Sequence, residues 1–227
     1  MCGRFTLSRQ DRVSLARELG VPLGQLPEDS YQPRYNIAPT NRHWIMRMEY
    51  EDRELLRARW GLINHWAKDP KIGYRQINSR AKTLEKRLAF RDAFKKRRCA
   101  VPADGFFEWA GPKEQRQPIW FHRPDGGLLL FAGLYESWQR EPGEWEPTFT
   151  IITTDANAML EPVHNRMPVI LPEEVIDEWL YSRRDDHSEL KGLLVPASDD
   201  LLVGTPVSSR VNSVKNDDPA CLEPVLQ

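Results

Sequence analysis

The chain has 227 residues, 40% hydrophobic and 10% aromatic, enough to bury roughly 70% of its unfolded surface without help from disulfides. Its 32 basic and 33 acidic residues leave a formal net charge of −1, so overall charge marks no nucleic-acid binder and any pull on DNA must come from a local patch. Three scattered cysteines, Cys2, Cys99 and Cys221, argue against a disulfide framework or structural zinc, and without an apolar leader or a run of about 18 apolar residues neither secretion nor a membrane span is expected.

Asp11 to Gly20 is predicted helical, with Val13, Leu15, Ala16 and Leu19 as an apolar stripe and Gly20 as the stop. Pro22 to Gln32 is predicted as loop, and His43–Met48 and Leu55–Leu62 as strands. Ser79 is a plausible N-cap for a helix running to about Lys96, with Leu84, Leu88, Ala89 and Phe94 at helical spacing. Cys99–Pro102 and Gly105–Trp109 are short strands. Ile119–His122 and Leu128–Ala132 flank Pro124-Asp125-Gly126-Gly127, a hairpin signal. Phe149–Thr153 and Met167–Leu171 are further strands, and Pro172 opens a helix with Val175, Ile176, Trp179 and Leu180. Many strands with helices between them, not in strict alternation, indicate an α+β fold with a curled antiparallel sheet.

The second residue carries chemistry. Methionine is normally removed before a small residue, so the mature chain would begin with Cys2. An N-terminal cysteine bears an amine of pKa about 7.7–8.0 and a thiol of about 8.5 on adjacent carbons, both with a nucleophilic fraction near neutrality. An aldehyde condenses with the amine to an imine, and the thiolate closes on the imine carbon to give a five-membered thiazolidine. The plainer alternative is a small buried side chain near a chain end.

Other polar clusters accompany it. Glu108 lies between Phe107 and Trp109 in a predicted strand and shares a face with Phe106. Among rings a carboxylate is desolvated and moves toward acid/base range, whereas on an edge strand it faces water. His164 is either a hydrogen-bonded structural residue or a proton shuttle. Asn78 either caps a helix or orients a nucleophile. Arg4, Arg80 and Arg166 would clamp phosphate if they converge, and are otherwise solvated charges. Residues 82–98 hold eight basic residues against Glu85 and Asp92, either a DNA-facing patch or a solvated helix face. Trp60, Trp66 and Trp109 are either stacking platforms or core. No His/Cys/Asp set has ligand spacing, so no metal is expected, and no cofactor.

Taken in order, MCGRF, RYNIAPT (34–40), RWGLI (59–63), INSRAKT (77–83), VPADGFFEW (101–109), VHNRMPVIL (163–171) and VNSVKND (211–217) resemble the SRAP family, the SOS-response-associated proteins that crosslink abasic sites. The resemblance spans nearly the whole chain. It implies one α+β domain over residues 1–227, built on a barrel-like pair of antiparallel sheets flanked by helices. It also implies covalent capture of abasic sites in single-stranded DNA or at single-strand/double-strand junctions. Cys2 would be the crosslinking residue, with Asn78, Glu108 and His164 as its catalytic companions. DNA contacts would fall on Arg4, Arg80 and Arg166, on Thr153, on Pro39 and Thr40 of a loop against the bases, and more loosely on Trp66. Two positions depart from the family pattern: Lys82 replaces an acidic residue and Asn64 a proline. We expect a monomer in the cytoplasm, nucleoid-associated in a bacterium. Two alternatives stand beside this reading: a thiol (auto)peptidase with Cys2 as nucleophile, and a non-covalent single-strand-binding module.

Overall fold

The computed structural model describes residues 2–181 and 187–225. The chain opens with strand β1 (Phe5–Leu7) and helix α1 (Arg12–Leu19). Asp11 caps α1 by accepting from the Val13 and Ser14 amides, and Gly20 ends it at φ 65°, a backbone that glycine adopts at no steric cost. After a loop containing one 3₁₀ turn come β2 (Arg34–Ile37), β3 (Arg42–Glu49) and β4 (Asp52–Trp60). The next elements are β5 (Asn78–Arg80), α2 (Leu88–Lys96), β6 (Arg98–Ala103), β7 (Gly105–Ala110) and β8 (Gln117–His122). The long strands β9 (Leu129–Glu141) and β10 (Glu144–Asp155) precede β11 (Arg166–Pro168), α3 (Ile176–Leu180), α4 (Ser188–Gly192) and β12 (Val203–Pro206).

Two sheets form, in the orders β12-β8-β7-β1-β2 and β11-β10-β4-β3-β6-β9, with β10 also pairing β9 and β5. The six-strand path thereby closes on itself through β9 and β10, and no edge remains along that seam. The fold is α+β, two largely antiparallel sheets with short helices at their margins. Two pairings depart from the antiparallel expectation: β4 and β5 both run parallel to β10.

Three sequence expectations are corrected. The helix expected from Ser79 begins only at Leu88, because residues 78–80 are a strand. Past Phe149, β10 has no partner from β4, and its open peptide edge is taken by Asn78, Ser79 and Arg80 opposite Ile151, Ile152 and Thr153. Pairing an open sheet edge outweighs a weak local helix preference. Second, the turn at 124–127 joins no hairpin. β8 pairs β7 and β12, whereas β9 pairs β6 and β10, so this turn carries the chain between sheets. β9 instead forms a hairpin with β10, turning at Gly143 with φ 87°. Third, Met167–Leu171 is strand only to Pro168, with Ile170 making an isolated bridge to Phe131.

The core lies between the sheets. Phe5 packs edge-on to His43, Trp60 and Phe131 with centroids 4.8, 5.0 and 6.1 Å away. Phe106 stacks on Phe121 at 5.5 Å. Alternation along β7 sends Phe106 into this core and Phe107 to a second cluster with Val207, Val211 and Cys221. None of the described helices is long and apolar enough to cross a membrane.

Candidate functional site

The site is assembled where β1, β7 and the upper half of β10 meet. β1 pairs β7 with Phe5 opposite Phe106 and Thr6 opposite Gly105, and the Phe107 amide continues the ladder to the Arg4 carbonyl. This register runs Glu108 alongside residues 2–3. Glu108 is 4% exposed and Cys2 is fully buried. Glu108 is thus buried rather than facing water, on the Phe106 side of its strand.

The Cys2 thiol donates weakly to the Arg4 carbonyl, 3.8 Å away. Burial pushes the thiol far above its ordinary pKa, and the negative charge of Glu108 adds to the push. This corrects the expectation of a ready thiolate: the buried sulfur is held protonated at neutral pH. Asn78 enters from β5, and its Nδ2 donates to the Cys2 carbonyl at 2.8 Å. Asn78 Oδ1 is buried with no hydrogen-bond partner among the described residues. Asn78 is therefore no helix cap.

His164 precedes β11. Its Nδ1 lies 3.0 Å from the Arg166 amide nitrogen and 3.2 Å from the Arg166 carbonyl oxygen, so the backbone of Arg166 fixes the orientation of the ring. Burial lowers its pKa, opposed by the nearby charge of Glu108. Cys2, Glu108, His164 and Arg166 thus lie within electrostatic reach of one another.

A cleft of about 400 Å³ opens beside this group, lined by Arg75, Ile77, Asn78, Arg80, Thr83, Arg87 and Arg166. Register explains the convergence. Arg80 sits opposite Thr153 on one edge of β10, and Arg166 sits opposite Asp155 on the other. Burial and the charge of Arg80 both lower the Arg166 pKa. Such a cluster, walled by Asn78, suits phosphate oxygens.

The other expected contact residues do not line the cleft itself. Arg4 does not line the cleft. Its Nη1 donates to Asn36 Oδ1 at 2.8 Å and the Val211 carbonyl at 2.9 Å, and its guanidinium lies 5.9 Å from the Trp109 ring centre. Thr153 is 1% exposed, and its hydroxyl donates to the Ser79 carbonyl while receiving Arg166 Nη1 at 3.5 Å. It braces the arginine from within. Pro39 and Thr40 form the half-buried turn between β2 and β3, with Thr40 at φ 74° and its amide on the Trp60 carbonyl. Trp66 is 44% exposed and stacks against His65 at 5.8 Å, whereas Trp60 is core. The basic run at 82–98 is dispersed. Arg98 is buried and donates to the Trp179, Phe94, Lys95 and Tyr181 carbonyls, Arg97 pairs with Glu136, and Lys82 pairs with Asp155. Asn64 is buried, donating to the Ala89 carbonyl at 2.7 Å.

Residue-by-residue reading missed Arg75 and Arg87, and also the strap behind Arg4. Asn36 Nδ2 donates to the carbonyls of Val211, Ser213 and Asn216. Asp217 accepts from the Tyr35 and Asn36 amides and from Arg34. The recurrence of Asn36 and Asp217 in two distant polar motifs was the available signal, but only the fold shows that the motifs touch. Among the described residues no group of three or more His, Cys, Asp or Glu is placed to hold a metal ion.

A family model described as SOS response associated peptidase (SRAP) matches residues 1–214. The chain is 41% identical over 225 residues to the abasic site processing protein YoqW of Bacillus subtilis (strain 168), spanning 98% of this chain and 99% of that one. It is 33% identical over 265 residues to the abasic site processing protein HMCES of Gallus gallus, spanning 99% of this chain and 78% of the relative. Among solved structures, a protein from Bacteroides thetaiotaomicron superposes with TM-score 0.87 at 26% identity, covering 99% of this chain and 100% of that one.

Proposed function

The chain belongs to the SRAP family, and from that premise we propose that it processes abasic sites by covalent capture in single-stranded DNA, in the open strand or at a junction with duplex. Residues 1–227 act as one domain. The observation that carries this reading is Asn78, which lines a cleft of four arginines and holds the carbonyl of Cys2 at 2.8 Å.

Hydrolysis of the Met1–Cys2 bond creates the amine on the residue that Asn78 grips. The vacant Asn78 Oδ1 then has a donor within the same residue to orient. Arginines 80 and 166 hold the phosphates flanking the lesion. The abasic sugar is mainly a closed hemiacetal, and Glu108 and His164 move the proton that opens it. The Cys2 amine adds to the aldehyde carbon and water leaves, giving the imine. The sulfur then adds to the imine carbon, the nitrogen gains a proton and the S–H proton is released. The sum is aldehyde plus aminothiol to thiazolidine plus water. Because the thiol is held protonated, ring closure needs a base at the sulfur, and Glu108 is the carboxylate whose charge it feels. Release of Met1 by the protein itself would be its peptidase activity, limited to one bond.

The test is a covalent band on a denaturing gel with abasic single-stranded DNA. Cys2→Ala should abolish the stable adduct. A Cys2→Ser protein that yields the same heat-resistant product would overturn the thiazolidine. So would intact mass showing Met1 retained in a protein that crosslinks fully.

A further inference from the structure

Beyond the cleft, the outer face of β3 and β4 carries arginines and rings that the capture chemistry leaves unused. Alternation turns His43 and Ile45, with Ala58 and Trp60, into the core. Arg42 and Trp44, with Arg57 and Arg59, therefore face outward, and register sets Arg42 opposite Arg59 and Trp44 opposite Arg57. Arg57 lies over the Trp44 ring at 5.6 Å, and Arg59 over the Tyr74 ring at 5.9 Å. Tyr74 is 60% exposed and adjoins Arg75, which lines the cleft. Arg75, Tyr74, Arg59, Arg42, Trp44 and Arg57 thus form a continuous path away from Asn78.

Charge along β3 and β4 is graded. At the hairpin end Arg47 pairs with Glu49 and Glu54, and Arg53 with Asp177. At the cleft end Arg42 pairs with Glu146, and Asp29 lines the small pocket shared by Arg42, Trp44 and Arg57. Arg57, Arg59 and Arg75 make no ion pair among the described residues. In a chain of net charge −1, unneutralised arginines gathered on one face are a local attraction for a polyanion. A guanidinium laid on a ring has its plane fixed and its N–H edge free for phosphate. The exposed ring of Tyr74 beside such cations, with the partly buried Trp44 further along, matches unpaired bases, whose faces a duplex conceals.

We infer that this face is a second binding surface, a track that holds the unpaired strand on one side of the abasic nucleotide. The inference rests on the capture reading for its substrate, and its test is separable from it. Binding is measured by fluorescence anisotropy with oligonucleotides bearing an abasic analogue that lacks the aldehyde, one of about 4 nucleotides and one of about 16, the span of known single-strand site sizes. The parent should favour the longer one. Arg57→Ala/Arg59→Ala should cut that advantage roughly tenfold and lower the salt slope on the longer oligonucleotide by about 1.4, two contacts at about 0.7 each. Arg57→Lys/Arg59→Lys, which keeps the charge, should keep the slope. Tyr74→Ala should weaken the longer oligonucleotide with the slope unchanged. A double alanine variant with parental affinity and slope overturns the track, as does equal competition by duplex of the same length. A parent that forms no adduct with abasic DNA, yet shows a length advantage that the double variant loses, overturns covalent capture and leaves the track standing.

Discussion

Cys2 and Glu108 show how one contact changes the chemistry expected of a residue. A cysteine at a chain end suggests an exposed, partly ionised thiol. Here burial and a neighbouring carboxylate hold the proton on sulfur, so in the proposed capture the amine acts first and the thiol waits for a base. Glu108→Gln keeps the shape and removes the base. Under the proposed mechanism it should slow adduct formation by about 10²-fold or more, the usual scale of acid/base assistance, while leaving anisotropy binding near the parental value. Adduct formation at the parental rate would dismiss the role. His43 makes a separate prediction about stability. It is fully buried, donates through Nε2 to the Pro102 carbonyl at 2.8 Å, and has its pKa lowered by burial from 6.5 to about 3. Between those values the unfolded chain binds a proton that the folded chain refuses. Folding stability is therefore retained above pH 6.5 and lost as pH falls toward 3, at up to about 1.4 kcal/mol per pH unit from this group. Urea titrations from pH 7 downward should show this slope flattened in His43→Gln.

Among the elements, β10 organises the site. One edge receives β4 and then β5 in parallel, and the other receives β9 and then β11 antiparallel. Arg80 and Arg166 come from segments far apart in the chain and meet only because both are registered against residues 153–155. The strand character of 78–80 was not legible locally, since it depends on an edge left open where β4 ends. By contrast α1, β3, β4, β6 and β7 were legible, because their apolar periodicity and stop residues are written in consecutive positions. The loop carrying Tyr74 and Arg75 is set by a close approach of two glycines. A Cβ on Gly61, at φ 116°, would lie 2.6 Å from the Gly73 carbonyl oxygen. Gly61→Ala should therefore cost about 1–3 kcal/mol or more, seen as a lower urea midpoint. It should also weaken DNA binding by displacing Arg75. An unchanged midpoint would mean that the loop shifts freely.

Over the whole molecule, near-zero net charge conceals an uneven surface. Acidic residues neutralise many arginines, including those at the β3–β4 hairpin end, while Arg75, Arg80, Arg87 and Arg166 share one cleft. DNA affinity should therefore depend steeply on salt despite the neutral composition. Arg80→Ala should weaken binding and lower the salt slope by about 0.7, whether or not the oligonucleotide is abasic. An unaltered slope would remove Arg80 from the phosphate contacts. The strap through Asn36 and Asp217 ties residues 211–217 to β2 and to Arg4. Through its hydrogen bonds to Asn36 and Val211, Arg4 joins that strap to the segment that bears Cys2.

The sequence by itself determined the α+β class, most strand positions, the family, and the candidacy of Cys2, Asn78, Glu108 and His164, because periodicity and ordered motifs are properties of neighbours along the chain. Only the tertiary structure decided which arginines share the cleft, that Arg4 hydrogen-bonds Asn36 and Val211, that Thr153 is buried, that residues 78–80 form a strand, and that the Cys2 thiol keeps its proton. These depend on register between distant strands and on burial, and both are set by what the folded sheets bring together in space.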